Sequence, residues 1–309
     1  SAKAELEAMN EMFQKDYPGA EFEKSDWWYY AEKVRKAKYQ LDEAAVSQYL
    51  SLDNVRSGMF YLANRLYGIT FRPISAPKYH PECSVYEVLD VDDSHLGVLY
   101  IDPHPRKSKS GGAWCGYFTE QRYEDGKRVA PVVGIVCNFT PPVGDTPSLL
   151  SFDEAETMFH EFGHALHFLF ADVRYRGLAE VEGDFVELPS QIMENWAFEP
   201  EIMKVYATHH STGDVIPDNL IEKIQKASLF NQGFITTELA AAALIDMDIH
   251  TLEKWSDMDI NDFEKYNLAT RRGLIPQIEP RYRYTYFSHI FNGGYSSGYY
   301  FYLWAEVLD

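Results

Sequence analysis

SFDEAETMFHEFGHALHFLF, residues 151–170, carries apolar side chains at helical spacing around two histidines. Apolar residues that recur every three or four positions predict a helix with a buried face. His160 and His164 lie four residues apart, about one helical turn, so both imidazoles leave the same face of that helix. Glu161 follows the first histidine and completes the pattern H-E-x-x-H, which is typical of a zinc-binding helix.

The residues around this motif argue against a chance match on an exposed helix face. Buried histidines and a buried carboxylate must find polar partners, because an unpaired polar group in an apolar interior is strongly unfavourable. A zinc ion supplies such a partner, and Glu161 would then reach a water bound to it, as in a metal-dependent hydrolase. The apolar neighbours are Met158, Phe159, Phe162, Ala165, Leu166, Phe168 and Leu169.

The third metal ligand must come from outside this helix. A metzincin has Gly and His at set positions further along the segment, and here His167 and Phe170 occupy those positions. Glu187 and Glu194 are seven residues apart, about two helical turns, so one can bind the metal while the other supports it. Three further acidic residues of this region are Glu180, Glu182 and Asp184. A solvated surface is the commoner situation for Glu180 and Glu182.

Composition limits the classes of protein and partner. Of the 309 residues, 46% are apolar and 24% are charged, which is typical of a globular protein, and no apolar run is long enough to span a membrane. The net charge of −19 repels phosphate backbones, so we expect no nucleic-acid partner, and the lack of a spanning run leads us to expect no membrane partner. Three cysteines without C-x-x-C spacing suggest neither disulfides nor a thiolate metal site. We expect a cytoplasmic location, although any signal peptide would precede residue 1.

The pattern along the chain predicts an α+β fold that is mostly helical. Residues 1–70 have helical periodicity and form a helical segment of uncertain assignment. Residues 71–309 form the predicted catalytic region, with a small β-sheet beside the H-E-x-x-H helix. The loop at residues 102–112 is the most basic stretch, so it is either solvated and mobile or in contact with anions. Because an apolar helical run ends uncapped at residue 309, we expect the chain to be a truncated fragment.

Several segments together resemble the thimet-oligopeptidase-like (M3) zinc metallopeptidases. They are HEFGHALH, GDFVELPSQIMENW, ASLFNQGF and SHIFNGGYSSGYYFYLWAEVLD, and SKSGGAW with PRYRYTYFSHIF is most similar to the peptidyl-dipeptidase branch. The resemblance covers residues 66–309, and because members of the family have further helices before and after this region, it implies a chain truncated at both ends. It implies a zincin-like catalytic domain with one zinc per chain, and it implies that Glu187 is the third ligand.

The resemblance also assigns a role to an aromatic cluster near the end of the chain. His289, Tyr295 and Tyr302 match positions that line the family's active site, and Tyr299 matches a further, weaker position. Imidazole and phenol groups can donate hydrogen bonds to an oxyanion. The implied activity is release of dipeptides from the C-termini of short peptides. An endo-acting oligopeptidase and an inactive peptide-binding fragment are the alternatives.

Two further features leave alternatives open. The run PVVGIVCNF, residues 131–139, is either an edge strand that adds an extended peptide or a fully paired core strand. Arg281 and Arg283 are either surface residues or ligands of a substrate's C-terminal carboxylate.

Overall fold

The computed structural model describes residues 1–255 and 257–309 and confirms an α+β fold dominated by helices. The helices, in chain order, are α1 (Ala2–Asp16), α2 (Trp27–Tyr39), α3 (Glu43–Ser47), α4 (Leu52–Tyr67), α5 (Phe152–Leu169), α6 (Leu188–Ala197), α7 (Pro200–Tyr206), α8 (Asp218–Ala227), α9 (Gln232–His250), α10 (Ile260–Lys265), α11 (Ser288–Phe291) and α12 (Phe301–Leu308). The strands are β1 (Thr70–Pro73), β2 (Ser84–Leu89), β3 (His95–Asp102), β4 (Trp114–Thr119), β5 (Arg122–Glu124), β6 (Lys127–Val129) and β7 (Val132–Val136).

The chain divides into two compact units. Unit 1 comprises Ser1–Leu41 and Lys223–Leu308, and unit 2 comprises Asp42–Glu222 with Asp309. The strands therefore all belong to unit 2, together with the H-E-x-x-H helix α5. The boundary near residue 70, which the sequence pattern suggests, stays a prediction.

The sheet of unit 2 has the strand order β1-β2-β3-β7-β4. Strands β3 and β7 are parallel, and the other neighbours are antiparallel. Strand β7 lies in the run PVVGIVCNF and is paired on both sides, and Val133 and Ile135 are fully buried. The core-strand alternative for this run is therefore confirmed, and the edge-strand alternative is wrong, because β4 occupies that edge of the sheet.

Helix α5 packs against strands β4 and β7, as the sequence predicted. Ser151 and Glu154 form a capping box: the Ser151 hydroxyl accepts from the Glu154 N–H at 3.1 Å, and the Glu154 carboxylate accepts from the Ser151 N–H at 2.9 Å. The apolar residues of α5 form the core of the unit. Met158, Phe159, Phe162, Ala165 and Leu169 are all fully buried.

A glycine allows helix α6 to approach α5 closely. A Cβ atom added at Gly163 would lie 2.2 Å from the carbonyl oxygen of Pro189, at the start of α6. Any larger residue at this position would push the two helices apart. Since α5 carries the two histidines and Glu187 directly precedes α6, this close approach sets the distance between them.

The basic loop at residues 102–112 is anchored by a buried carboxylate. Asp102 is fully buried and accepts hydrogen bonds from Arg106 at 2.7 Å, Tyr79 at 3.0 Å and Lys109 at 3.3 Å. Lys109 also donates to the carbonyl oxygens of His104, at 2.8 Å, and Cys137. The basic side chains Arg106 and Lys109 thus contact an anion of the protein itself, the Asp102 carboxylate.

Unit 1 is held together by contacts between distant parts of the chain. The Glu5 carboxylate accepts from the N–H groups of Gly233 at 2.8 Å and Phe234 at 2.9 Å, at the start of α9. Trp27 donates to Asn231 at 3.0 Å, and its ring packs 4.6 Å from that of Phe234. Among the described residues, no helix has the length and apolar content of a membrane-spanning segment.

Candidate functional site

The structure brings His160, His164 and Glu187 together within unit 2. The Nε2 atoms of both imidazoles lie 3.3 Å from the same carboxylate oxygen, Oε2 of Glu187. The three ligand atoms all lie within 4.8 Å of one another. Two donors bound to zinc at about 2.0–2.1 Å in tetrahedral geometry are separated by roughly 3.3 Å. Two imidazoles and one carboxylate at this spacing therefore fit a zinc ion.

Glu187 is held in place from its own helix. It is 2% exposed and directly precedes α6. The Ser190 hydroxyl contacts both the Glu187 carboxylate, at 2.9 Å, and the Glu187 backbone carbonyl, at 2.7 Å. The carboxylate that faces the histidines is therefore oriented before any ligand binds.

Glu194 supports the site from the next turns of α6. Its Oε1 lies 2.5 Å from Nδ1 of His160, on the far side of the ring from Nε2. A carboxylate that accepts the Nδ1–H fixes the tautomer in which the Nε2 lone pair is free to bind a metal. Of the two glutamates that the sequence left open, the structure thus places Glu187 facing both histidines and Glu194 behind the candidate ligand His160.

The electrostatics of this cluster favour positive charge. Burial opposes a charge on His160, but hydrogen bonds to Glu187 and Glu194 outweigh it and raise the pKa of His160 to about 10. Burial likewise acts to raise the pKa of Glu187, but hydrogen bonds to His160 and His164 lower it well below the usual range. The raised pKa of His160 and the lowered pKa of Glu187 both favour a positive charge at this cluster, as a cation-binding site requires.

Glu161 differs from its neighbours because one of its carboxylate oxygens lacks a partner in the described part of the chain. It is 5% exposed, and its Oε2 has no hydrogen-bond partner among the residues that the structure describes. Burial raises its pKa, although the charges of His160 and His164 act in the opposite direction. A buried, unpartnered carboxylate next to candidate metal ligands is typical of a group that transfers protons.

The residues proposed from the end of the chain form one cluster within unit 1. The rings of Tyr295 and Tyr302 stack at 5.5 Å, and those of His289 and Tyr295 lie 6.0 Å apart. Tyr299 lies 5.1 Å from Tyr302 but is 2% exposed, whereas the other three are half-buried. Tyr299 therefore packs in the core, and the other three side chains remain accessible.

Sequence reasoning missed the residue that anchors this cluster. Asp246 is fully buried in α9, and its carboxylate accepts from the N–H groups of Ser297 and Tyr299, both at 2.9 Å. His250 lies 2.7 Å from the same carboxylate. The detectable signal was a single acidic residue within the apolar run LAAAALID of α9.

An H-E-x-x-H helix with a candidate glutamate ligand beside the following helix is typical of a metallopeptidase site. The family model described as peptidase family M3 matches residues 1–309, so the chain belongs to that family, as its resemblance indicated. It is 47% identical over 288 residues to a dipeptidyl carboxypeptidase of Salmonella typhimurium, covering 92% of this chain and 42% of the relative. The dipeptidyl carboxypeptidase of Escherichia coli is 44% identical over 312 residues, covering 99% and 46%.

A relative of lower identity has a different name. Oligopeptidase A of Escherichia coli is 34% identical over 312 residues, covering 98% of this chain and 45% of the relative. The chain thus spans less than half the length of each of these three relatives.

Proposed function

We propose that this protein is a zinc-dependent peptidase that releases dipeptides from the C-termini of short peptides. The observation that carries this proposal is the convergence of His160, His164 and Glu187, with both Nε2 atoms 3.3 Å from one carboxylate oxygen. The printed names of the two dipeptidyl carboxypeptidase relatives support the exo-acting specificity.

The three residues would hold one zinc per chain through two nitrogens and one oxygen, a donor set that catalytic zinc sites use. When bound, zinc polarises the substrate carbonyl and lowers the pKa of a bound water toward about 7. Glu194 keeps His160 in the required tautomer, and Ser190 keeps the Glu187 carboxylate turned toward the histidines.

Glu161 acts as the general base and then as the general acid. Its carboxylate takes a proton from the attacking water and delivers it to the nitrogen of the leaving amine. Burial raises its pKa, which makes it a stronger base than an exposed glutamate. The lack of an intramolecular partner for Oε2, within the described part of the chain, leaves that oxygen available for the proton.

His289, Tyr295 and Tyr302 are the proposed donors to the carbonyl oxygen as negative charge develops on it. Imidazole and phenol groups can both stabilise an oxyanion. Their partial exposure and their common cluster in unit 1 support this role, whereas the burial of Tyr299 favours a packing role.

The experiment identifies products by mass spectrometry after short peptides are incubated with the zinc-loaded chain. The proposal expects dipeptides as the first products, and Glu161→Gln should retain zinc while turnover falls by about 10²–10⁴. Cleavage at several internal bonds would favour an endo-acting oligopeptidase, an activity that the oligopeptidase A relative suggests.

Binding of peptides without hydrolysis would instead favour the peptide-binding fragment. The cytoplasmic location and the exclusion of nucleic-acid and membrane partners stay predictions.

A further inference from the structure

Unit 2 contains a cavity that the proposed peptidase activity does not use. Its volume is about 520 Å³, and its walls come from the C-terminal half of α5, the first turns of α6, the connection between these two helices and the end of α4. Its described lining includes none of the candidate metal ligands, and neither Glu161 nor Glu194. The cavity is therefore distinct from the metal cluster.

The size and the walls of this cavity suit a small apolar molecule. An engineered cavity of about 150 Å³ takes up benzene, and ligand sites usually have about 300–1,000 Å³. A volume of about 520 Å³ thus has room for a fused ring system with a short side chain. The two helices contribute apolar side chains to the walls, among them Leu166, Leu188, Ile192 and Met193.

Three aromatic rings add a second kind of contact. Tyr67, Phe170 and Phe185 line the cavity and are 47%, 38% and 44% exposed. The rings of Tyr67 and Phe170 lie 5.1 Å apart in an edge-to-face arrangement. The faces of such rings attract both a further aromatic ring and a cation. These walls therefore favour a ligand that combines an aromatic ring with a positive charge.

His167 supplies a hydrogen-bond acceptor in the wall of the cavity. Its Nε2 lies 3.0 Å from the carbonyl oxygen of Ala179, which can only accept, so Nε2 carries the proton of this contact. In a neutral imidazole the other ring nitrogen, Nδ1, is then an acceptor. Within residues 1–255 and 257–309, no group donates a hydrogen bond to Nδ1. An N–H group of a ligand would complete the hydrogen bonding of this ring.

The connection between α5 and α6 places negative charge beside the cavity. Residues 179, 181 and 185 line it, and the acidic residues that alternate with them are exposed to solvent. None of these carboxylates forms an ion pair within the described part of the chain, and Glu180 accepts only from a neutral hydroxyl, that of Tyr117 at 2.7 Å. Arg176, earlier in the connection, lies 3.6 Å from Glu120 and does not line the cavity. The exposed acidic residues are Glu180, Glu182 and Asp184.

We propose that this cavity binds a small aromatic amine. The aromatic ring occupies the apolar space between α5 and α6, a ring N–H donates to His167, and the ammonium group faces the acidic connection. The negative charge of that connection attracts a cationic ligand and repels an anionic one of the same shape. This inference does not depend on the peptidase activity, because the cavity and the metal cluster share no residue.

The test measures the binding of tryptamine, an indole ring with an ethylammonium side chain, to the full chain by isothermal titration calorimetry. Indole-3-propionate presents the same ring system with a carboxylate in place of the ammonium group. We expect one tryptamine per chain, and a Kd for tryptamine at least about tenfold lower than that for indole-3-propionate.

Two variants fill the cavity from different elements of its wall. Ile192→Trp does so from α6 and Leu178→Trp from the connection, and each should weaken tryptamine binding by about tenfold or more. Val143→Trp changes an exposed apolar residue of unit 2 that does not line the cavity, so this matched control should bind as the unmodified chain does. Absence of tryptamine binding, equal affinity for the two ligands, or unchanged binding in the folded cavity variants would overturn the proposal.

Discussion

Glu194 lies behind a proposed metal ligand, His160, and is placed to control it. Its carboxylate lies 2.5 Å from Nδ1 of His160 and so orients the ring that presents Nε2. Removing such a support typically weakens metal binding by about 10–100-fold. We predict a loss of this size in the zinc affinity of Glu194→Ala, measured by competition with a chelator.

Two further variants provide a lower and an upper reference for the loss of zinc affinity in Glu194→Ala. Glu201→Ala removes an exposed carboxylate from α7 and should leave the affinity unchanged. Glu187→Ala removes a proposed ligand and should lower the affinity by orders of magnitude more than Glu194→Ala. An unchanged affinity in Glu187→Ala would move the third ligand to Glu194 or Asp184.

Glu156 makes stability depend on pH. Burial and the charge of Glu194 raise its pKa from 4.5 to about 7. The folded state therefore keeps the Glu156 proton to higher pH than the unfolded state, so this group favours folding at low pH and opposes it as pH rises through 7. We predict that Glu156→Gln stabilises the protein above pH 7 by about 3 kcal/mol, an order-of-magnitude figure from the pKa difference.

The measurement is urea unfolding of both proteins at pH 5 and pH 8. The difference between them should be large at pH 8 and small at pH 5, because the wild-type side chain is then mostly protonated in the folded state. A stability difference independent of pH would show that Glu156 does not titrate in this range.

At the scale of elements, the close approach of α5 and α6 is the feature that brings ligands together. A Cβ at Gly163 would lie 2.2 Å from the Pro189 carbonyl oxygen, and a rigid backbone cannot give way as a flexible side chain does. We predict that Gly163→Ala lowers the free energy of unfolding by about 1–3 kcal/mol, the usual cost of overpacking. Because Glu187 precedes α6, zinc affinity should fall as well.

Gly111→Ala is the matched control for this substitution. A Cβ at Gly111 meets no atom within 4 Å, so neither stability nor zinc affinity should change appreciably. Equal behaviour of the two variants would mean that the α5–α6 contact relaxes without moving Glu187.

Sequence patterns predicted the parts of this site that are local. His160 and His164 lie four residues apart in one helix, so their spacing alone fixes their common side and places Glu161 beside them. The cap at Ser151 marks where that helix begins. Glu187 lies beyond a connection without regular periodicity, so its distance from the histidines depends on how α6 packs on α5. The pattern therefore gave two glutamates as candidates, and the resemblance was needed to choose between them.

The sequence pattern could not predict properties that depend on contacts between residues far apart in the chain. Whether β7 is central or at an edge depends on which strands pair with it, and its own residues are equally apolar in both cases. Arg281 and Arg283 look alike in the sequence, and they differ only because Glu264 and Asn261 reach one of them. The buried role of Asp246 likewise depends on Ser297 and Tyr299, about 50 residues away along the chain.

At the scale of the whole molecule, the compact units cut across the order of the sequence. Glu5 caps α9 across more than 200 residues, so Ser1–Leu41 and Lys223–Leu308 form one unit. Periodicity along the chain carries no information about such pairings. It does explain why the sequence predicted the order of helices and strands correctly but could not predict which helices share a core.

Zinc should stabilise the folded protein measurably, since all three proposed ligands lie in one compact unit and are brought together only by folding. A ligand that binds only the folded state adds about 4 kcal/mol at a free concentration 1,000 times its Kd. For a unit of 150–250 residues, each kcal/mol shifts Tm by about 2–4 °C. We therefore predict that saturating zinc raises the Tm of the transition that unfolds Asp42–Glu222 by roughly 8–16 °C relative to the chelated protein, as measured by calorimetry.

His160→Ala should abolish the shift, whereas Glu161→Gln should retain it, because Glu161 is the proposed base and not a ligand. A Tm that is the same with zinc and with chelator would refute the metal site.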